Sequence, residues 1–158
     1  MFRLLIVDDS EAYRQFLKDL SKNFRSPHET YFANDGLDAL DFLHCRGPYL
    51  DAPRPNLILL DVNMPRMGGL EFVALIKADP ELGVIPVIML SSSDSPSDIR
   101  EAYLAHANCY VLKPNSLEGA DKLIQAIEAF WIDVAVLSSC DEEDEPAKAS
   151  AKSHLTGQ

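Results

Sequence analysis

The sequence has little of what several large classes of protein require. It contains no apolar run approaching the roughly 18 residues of a membrane-spanning helix. Basic residues are in the minority, because 14 Lys and Arg stand against 25 Asp and Glu and give a formal net charge of −11. A nucleic-acid-binding protein needs a basic face to meet phosphates, so this charge balance argues against that class. We therefore expect neither a membrane nor a nucleic acid as a partner.

Cysteine is also scarce. The three cysteines, Cys45, Cys109 and Cys140, are an odd number in unrelated settings, and their spacing matches no metal site. The first residues lead directly into the apolar residues 4–7, without the basic region and long apolar segment of a secretory signal. We therefore expect reduced thiols and a cytoplasmic location.

Short apolar segments alternate along the chain with helix-like periods. Residues 4–7, 57–60, 86–90 and 109–112 have the length and composition of strands buried on both faces of a parallel sheet. Residues 29–33 are a weaker fifth strand, expected toward an edge. Helical patterns follow each strand, and Ser10 and Ser95-Pro96 are expected to begin two of them. The alternation predicts an α/β fold with a doubly wound parallel sheet and helices on both faces.

The length suits a single domain, for which we predict residues 1–137, with an apolar extension at its C-terminal end. Residues 138–158 contain the acidic run 141–145 and then an Ala-, Lys- and Ser-rich segment. Such a composition buries little apolar surface, so we predict a flexible acidic and polar tail.

Polar side chains recur at the point where the predicted strands end. They are Asp8 and Asp9 after the first strand, Asp61 at the end of the third, Ser91 at the end of the fourth and Lys113 after the fifth. The carboxyl ends of the strands form the ligand crevice of an open α/β sheet, so these residues should converge there. Three converging carboxylates repel one another and need a cation or raised pKa values. Oxygen ligands without His or thiolate favour Mg²⁺ as the cation. Asp61 could then act as a nucleophile toward a phosphoryl group, with Lys113 and Ser91 on the phosphoryl oxygens.

Each of these residues has an ordinary alternative. An Asp after a strand often caps the next helix, a single lysine is usually a surface residue, and Ser91 begins a run of three serines. The combination of all of them at the same end of successive strands is much more specific than any member.

In these positions the sequence resembles the response-regulator receiver domain of two-component signalling, over about residues 3–131. The motifs that carry the resemblance are Val7-Asp8-Asp9-Ser10, Leu60-Asp61-Val62-Asn63-Met64-Pro65, Met89-Leu90-Ser91 and Val111-Leu112-Lys113-Pro114. The resemblance implies a flavodoxin-like, five-stranded sheet of strand order 2-1-3-4-5. It also implies a partner sensor histidine kinase that donates the phosphoryl group.

The family pattern assigns a role to each matching residue. It implies that Asp61 is phosphorylated, that Asp9, Asp61 and the main-chain carbonyl of Asn63 bind Mg²⁺, and that Asp8 acts mainly through water. It implies that Lys113 is the family's lysine, that Ser91 and Tyr110 are the switch residues, and that the Lys113–Pro114 peptide bond is cis. Gly68 stands where the family commonly has Asp, a loop change that need not harm the chemistry.

The long loop 44–56, residues 106–110 and residues 127–131 resemble the subgroup associated with bacterial phytochrome histidine kinases. That subgroup implies a bacteriophytochrome as the kinase and a homodimer through the C-terminal region, for which we expect Phe130, Trp131 and Val134 as interface residues. The alternative is an extension folded back on its own domain. We expect no output domain, so phosphorylation would act through the surface or the dimer of the domain itself.

Two other functions compete with this one. A Mg²⁺-dependent phosphatase with an Asp nucleophile needs a second Asp two residues later, where Asn63 cannot transfer a proton. A degenerate receiver that only binds other proteins would have lost part of the acidic, serine and lysine set, which is intact here.

Overall fold

The fold was determined as a computed structural model, which describes residues 1–138. Five strands form one parallel sheet in the order β2-β1-β3-β4-β5. The strands are β1 (Phe2–Val7), β2 (His28–Ala33), β3 (Leu57–Asp61), β4 (Val87–Ser91) and β5 (Cys109–Leu112). The helices are α1 (Glu11–Ser21), α2 (Gly36–Leu43), α3 (Gly69–Ala78), α4 (Pro96–Leu104) and α5 (Leu117–Ile127). The predicted doubly wound fold and its strand order are confirmed, and β2 lies at an edge as expected.

The central strands are buried on both faces because their alternate residues enter two different cores. Leu5 and Val7 of β1 pack on the side of α2, α3 and α4, whereas Leu4 and Ile6 pack on the side of α1 and α5. Strands β3 and β4 divide their side chains in the same way. This two-sided burial explains why their sequences are almost uninterrupted runs of Leu, Ile, Val and Met.

Polar residues at the strand ends begin several of the helices. Ser10 accepts a hydrogen bond from the Tyr13 N–H at 3.2 Å, and Asp35 accepts one from the Asp38 N–H at 2.9 Å. Ser116 caps α5 through the Gly119 N–H at 3.0 Å. Each cap satisfies a backbone donor that has no partner within the helix, so the helices begin immediately beside the carboxyl edge of the sheet.

Two expectations about the end of the sheet are wrong. Strand β5 is not buried on both faces, because it lies at the second edge, with three partly buried residues and an exposed Leu112. The Lys113–Pro114 peptide bond is trans, not cis. Cys109 of β5 is a free, partly buried thiol, and burial raises its pKa.

The last helix is also less regular than its apolar pattern predicts. After α5 the backbone continues as a π-helical segment, Glu128–Ile132. The wider turn is shown by the hydrogen bond that the Asp133 N–H donates to the carbonyl of Glu128, five residues earlier, at 3.0 Å. The Glu128 side chain is buried and accepts hydrogen bonds from the backbone N–H groups of Arg25 and Ser26. These contacts fix the C-terminal segment against the loop before β2.

No helix within residues 1–138 is long and apolar enough to cross a membrane. Apart from its first residue, the tail predicted for 138–158 lies outside the described part of the chain.

Candidate functional site

Three carboxylates meet at the carboxyl edge of the sheet. Asp8 and Asp9 follow β1, and Asp61 is the last residue of the neighbouring strand β3. One carboxylate oxygen from each of the three lies within 4.8 Å of the others. Asp8 and Asp61 are buried, whereas Asp9 is exposed. The convergence that the strand ends predict is therefore present for the acidic residues.

Local hydrogen bonds hold Asp8 and the loop after it. The Asp8 Oδ1 atom accepts a hydrogen bond from the Ser10 N–H at 2.8 Å. The Arg14 guanidinium donates to the Asp8 carbonyl oxygen at 2.5 Å. Because Ser10 also caps α1, the same short segment orients the Asp8 carboxylate and starts the helix.

Lys113 reaches the same carboxylates from the far edge of the sheet. Its Nζ atom lies 3.1 Å from Asp8 Oδ2 and 3.1 Å from Asp61 Oδ1. The backbone N–H of Lys113 donates to the Ser91 carbonyl oxygen at 2.7 Å, which fixes the residue to the end of β4. The ammonium also lies over the ring of Tyr13, 4.6 Å from its centroid.

The electrostatics of the site follow from this crowding. Burial raises the pKa of the Asp61 carboxyl, the charge of Asp8 raises it further, and Lys113 only partly offsets them. Burial alone would lower the pKa of Lys113, but the charges of Asp61 and Asp8 outweigh it and raise this pKa. The lysine is therefore firmly protonated, and the three carboxylates together carry more negative charge than it neutralises.

This donor set fits a hard divalent cation. All the side-chain ligands are carboxylate oxygens, which Mg²⁺, Mn²⁺ and Ca²⁺ prefer over nitrogen or sulfur. The excess negative charge among buried groups gives such an ion a favourable site. Exposed Asp9 leaves one side of the cluster open to water and to a ligand.

Ser91 ends the strand next to that of Asp61, and it is connected to Tyr110 of β5 through one loop. The buried Ser91 Oγ accepts a hydrogen bond from the Ser93 N–H at 3.1 Å. The Tyr110 hydroxyl donates to the Ser93 carbonyl oxygen at 2.8 Å. A cavity of about 140 Å³ lies between them and is lined by Asn63, Ser91, Ser93 and Tyr110 among others. Ser91 and Tyr110, the two predicted switch residues, thus share Ser93 of the loop between β4 and α4 as a hydrogen-bond partner.

The three expected interface residues do not share one environment. Trp131 packs against the core beside α1 and α5, whereas Phe130 and Val134 are 53% and 68% exposed. The C-terminal segment is therefore partly folded back on its own domain and partly presented to solvent.

The pattern of the sequence did not reveal two further contacts near the site. One is the ring of Tyr13 under Lys113. The other is an ion pair in which Asp35 Oδ2 and Oδ1 accept from Arg66 Nε at 2.5 Å and Nη2 at 2.9 Å. Arg66 takes a positive φ of 61° in the loop before α3, and no pattern in the sequence indicates that conformation. In a sequence, an Asp before a Gly, as in Asp35-Gly36, indicates a turn and does not indicate an ion pair.

Comparison with known proteins defines the class. The chain matches the response regulator receiver domain family over residues 4–139 and belongs to it. It is 40% identical over 134 residues to the response regulator Rcp1 of Synechocystis sp., an alignment that covers 85% of this chain and 91% of the relative.

Two solved structures extend this similarity. The Mn²⁺-bound form of Rcp1 is 39% identical, with a TM-score of 0.81, and the alignment covers 88% of this chain and 100% of the other. The phosphorylated cyanobacterial phytochrome response regulator RcpA is 38% identical, with a TM-score of 0.82 and coverage of 87% and 99%. The predicted resemblance to phytochrome-associated response regulators is therefore confirmed.

Proposed function

We propose that this response regulator accepts a phosphoryl group on Asp61 from a partner histidine kinase, in a reaction that depends on Mg²⁺. The observation that carries the proposal is the buried Asp61 carboxylate, held 3.1 Å from the Lys113 ammonium at the centre of an acidic cluster. Phosphorylation of the similar RcpA supports the same chemistry here.

In the proposed reaction a carboxylate oxygen of Asp61 attacks the phosphorus atom. The bond from phosphorus to the donor nitrogen of a phosphohistidine breaks, the electron pair returns to that nitrogen, and an acyl phosphate forms. Lys113 then contacts a phosphoryl oxygen, because its ammonium already lies within hydrogen-bond distance of Asp61. Such fixed positive charge lowers the barrier to phosphoryl transfer.

Asp9, Asp61 and the main-chain carbonyl of Asn63 are the proposed protein ligands of Mg²⁺, with Asp8 acting mainly through water. When bound, the ion screens the incoming phosphoryl group from the carboxylates. The Mn²⁺-bound form of Rcp1 supports a divalent cation in this class of site. Asp8 also holds Lys113 in place at 3.1 Å.

The proposed response involves Ser91 and Tyr110. On phosphorylation the Ser91 hydroxyl would leave the Ser93 N–H and contact the phosphoryl group. The loop between β4 and α4 would then move with it, because Tyr110 is hydrogen bonded to the same Ser93. The result is a change in the surface formed by α4 and β5, a two-state element controlled by local charge.

We further propose a bacteriophytochrome as the kinase and a homodimer as the assembly. The resemblance to RcpA, a phytochrome response regulator, supports the first. Exposure of the apolar side chains of Phe130 and Val134 supports the second, because such surface usually marks an interface.

The test of the phosphoacceptor is phosphorylation by acetyl phosphate, followed by transfer from purified histidine kinases. We expect label on the wild-type protein with Mg²⁺, none with EDTA, and none on Asp61→Asn. Asp38→Asn, an acidic residue of α2, is the matched control and should be labelled as wild type. Label retained on Asp61→Asn would falsify the assignment. A wild-type protein that neither takes label nor binds beryllofluoride would instead act only as a protein-binding module.

A further inference from the structure

We propose that Tyr13 is a positioning residue for Lys113, and that its ring holds the ammonium without neutralising it. The inference rests on the proposed function, since it concerns the lysine that meets the phosphoryl group. The Nζ atom of Lys113 lies 4.6 Å from the centroid of the Tyr13 ring, within the roughly 6 Å range of a cation–π contact.

The backbone places the ring securely. Ser10 caps α1 by accepting from the Tyr13 N–H at 3.2 Å, so the loop that carries Asp8 and Asp9 also fixes the backbone of Tyr13. The ring packs against the core beneath α1 and α5. Lys113 is fixed independently by its backbone hydrogen bond to the Ser91 carbonyl. The ring and the ammonium are therefore each held by a separate hydrogen bond of the backbone. Because the ring keeps the flexible lysine side chain in place beforehand, no further ordering of that side chain is required when the phosphoryl group arrives.

The contribution must come from the ring and not from the hydroxyl. The Tyr13 Oη atom is buried and has no hydrogen-bond partner among the described residues. Removing a buried, unpaired hydroxyl costs little or even stabilises a protein. Tyr13→Phe should therefore behave as wild type, whereas an aliphatic residue of similar size should not.

The ring has an advantage over the carboxylates as a support. Asp8 and Asp61 attract the ammonium, but they also compete with the phosphoryl oxygens for its charge. The oxygen of Asp61 that is phosphorylated can no longer serve as an anionic partner. An aromatic face attracts a cation through its quadrupole and carries no net charge, so Lys113 keeps its full charge for the phosphoryl group.

The test compares Tyr13→Leu and Tyr13→Met with Tyr13→Phe, and uses Phe16→Leu as the matched control. Phe16 is a partly buried aromatic residue of the same helix that packs against the same core, and its ring centroid lies 6.0 Å from that of Tyr13. Phe16→Leu therefore removes packing beside Tyr13 while keeping the ring that faces Lys113. With acetyl phosphate and Mg²⁺, we expect the aliphatic variants at position 13 to lower the saturating phosphorylation rate about five-fold, the rate equivalent of one cation–π contact. KM should change less than two-fold, and both Tyr13→Phe and Phe16→Leu should keep the wild-type rate.

A second readout does not depend on phosphorylation. The ring should shift the ε-methylene protons of Lys113 upfield in NMR spectra of the wild type and Tyr13→Phe, and this shift should disappear in Tyr13→Leu. Equal rates in wild type and both aliphatic variants, or equal losses in Tyr13→Phe or Phe16→Leu, would overturn the inference. If the wild type takes no phosphate, the proposed function fails, and the methylene shift alone then decides whether Tyr13 holds Lys113.

Discussion

The Asp61 carboxylate is buried beside a second buried carboxylate, Asp8, and both lie against the Lys113 ammonium. Burial and then Asp8 raise the pKa of Asp61 above its ordinary value. The folded protein therefore binds this proton more tightly than the unfolded chain. Stability then falls as the pH rises from the ordinary pKa through the raised one. At neutral pH and without a divalent cation, the charge on Asp61 destabilises the fold.

Asp61→Asn should therefore stabilise the metal-free protein. The amide removes the buried charge and can still accept a hydrogen bond from Lys113. In EDTA at pH 7 we expect the melting temperature to rise by about 2–4 °C, the shift that about 1 kcal/mol produces in a domain of this size. Added Mg²⁺ should raise the melting temperature of the wild type but not of the variant, because only the wild type retains the full ligand set. A variant less stable than wild type in EDTA would contradict this account.

The convergence of Asp8, Asp9, Asp61 and Lys113 could be predicted from the sequence, because parallel strands bring their carboxyl ends to one edge. The contact between Tyr13 and Lys113 could not. In the helical pattern of α1, Tyr13 is one apolar residue among several, and its contact with Lys113 joins two segments about a hundred residues apart. Such a contact between distant segments leaves no local pattern.

At the scale of elements, α3 approaches the site closely enough to require glycine. A Cβ atom at Gly69 would collide with the Asp61 carbonyl oxygen and lie 2.9 Å from the Val62 Cα atom. Both obstacles are backbone atoms, so the end of β3 would have to move. At the preceding Gly68, which caps α3 without a side-chain hydrogen bond, the nearest atom is the Val62 carbonyl oxygen at 3.4 Å.

Gly69→Ala should therefore damage both stability and phosphorylation. We expect a loss of about 2 kcal/mol or more, typical of forced overpacking, together with slower labelling of Asp61 because its backbone shifts. Gly68→Asp is the matched control. It restores the residue that the family commonly has there, and it should stabilise α3 by a few tenths of a kcal/mol as an N-cap. Urea unfolding and acetyl phosphate labelling of both variants measure the two effects, and a Gly69→Ala protein as stable as wild type would disprove the close approach.

A second element-scale contact joins α2 to the loop before α3. Buried Asp35 caps α2 and is hydrogen bonded by two nitrogens of Arg66, and the Gly36 N–H donates to the Met67 carbonyl at 3.1 Å. Burial of Asp35 opposes its ionisation, but these hydrogen bonds outweigh it and lower its pKa. Its contribution to stability is therefore present above the ordinary carboxyl pKa and is lost as the pH falls through the lowered one.

Asp35→Ala should cost about 1–2 kcal/mol at pH 7, mainly through the lost cap. Asp35→Asn keeps a capping oxygen and should cost less. Arg66→Ala should cost less than Asp35→Ala, because the Arg66 side chain is 57% exposed and screened by solvent. Urea titrations at neutral and acidic pH measure the stability lost in each of the three variants and so check their predicted order. The difference in unfolding free energy between the wild type and Asp35→Asn should shrink on acidification. A difference that grows as the pH falls would contradict the lowered pKa of Asp35.

The edges of the elements were harder to predict than the elements themselves. The apolar run of β5 resembles those of the central strands, yet β5 is half open because it is the last strand of the sheet formed by residues 1–138. Exposure of an edge strand depends on strand order, which its own residues do not encode. The π-helical turn after α5 likewise depends on Glu128 bonding to the backbone of Arg25 and Ser26, a contact across about a hundred residues of chain.

At the scale of the whole molecule, the net charge and the exposed apolar surface have opposite effects on the formation of a homodimer. Each copy carries a formal net charge of −11, so two copies repel at long range. The C-terminal segment nonetheless exposes Phe130, Val134 and, at 99%, Val136. A homodimer forms only if burial of this surface outweighs the repulsion. Salt should then strengthen it, because ions shorten the range of the repulsion to about 8 Å at physiological strength and leave apolar burial intact.

Two classes of variant distinguish an effect on dimer formation from an effect on the stability of the fold. Phe130→Glu and Val134→Glu place charge on the exposed side and should produce monomers with unchanged stability. Trp131→Ala should instead lower the unfolding free energy by about 2 kcal/mol, since this ring packs inward and large-to-small changes leave a cavity. Leu50→Glu, at a leucine 73% exposed in the long loop, is the control and should still dimerise. Sedimentation at tens of micromolar and at low and high salt measures the assembly. A wild-type monomer under all these conditions would rule out the homodimer and leave the C-terminal segment as part of its own domain, whereas a dimer that survives both glutamates would place the interface elsewhere.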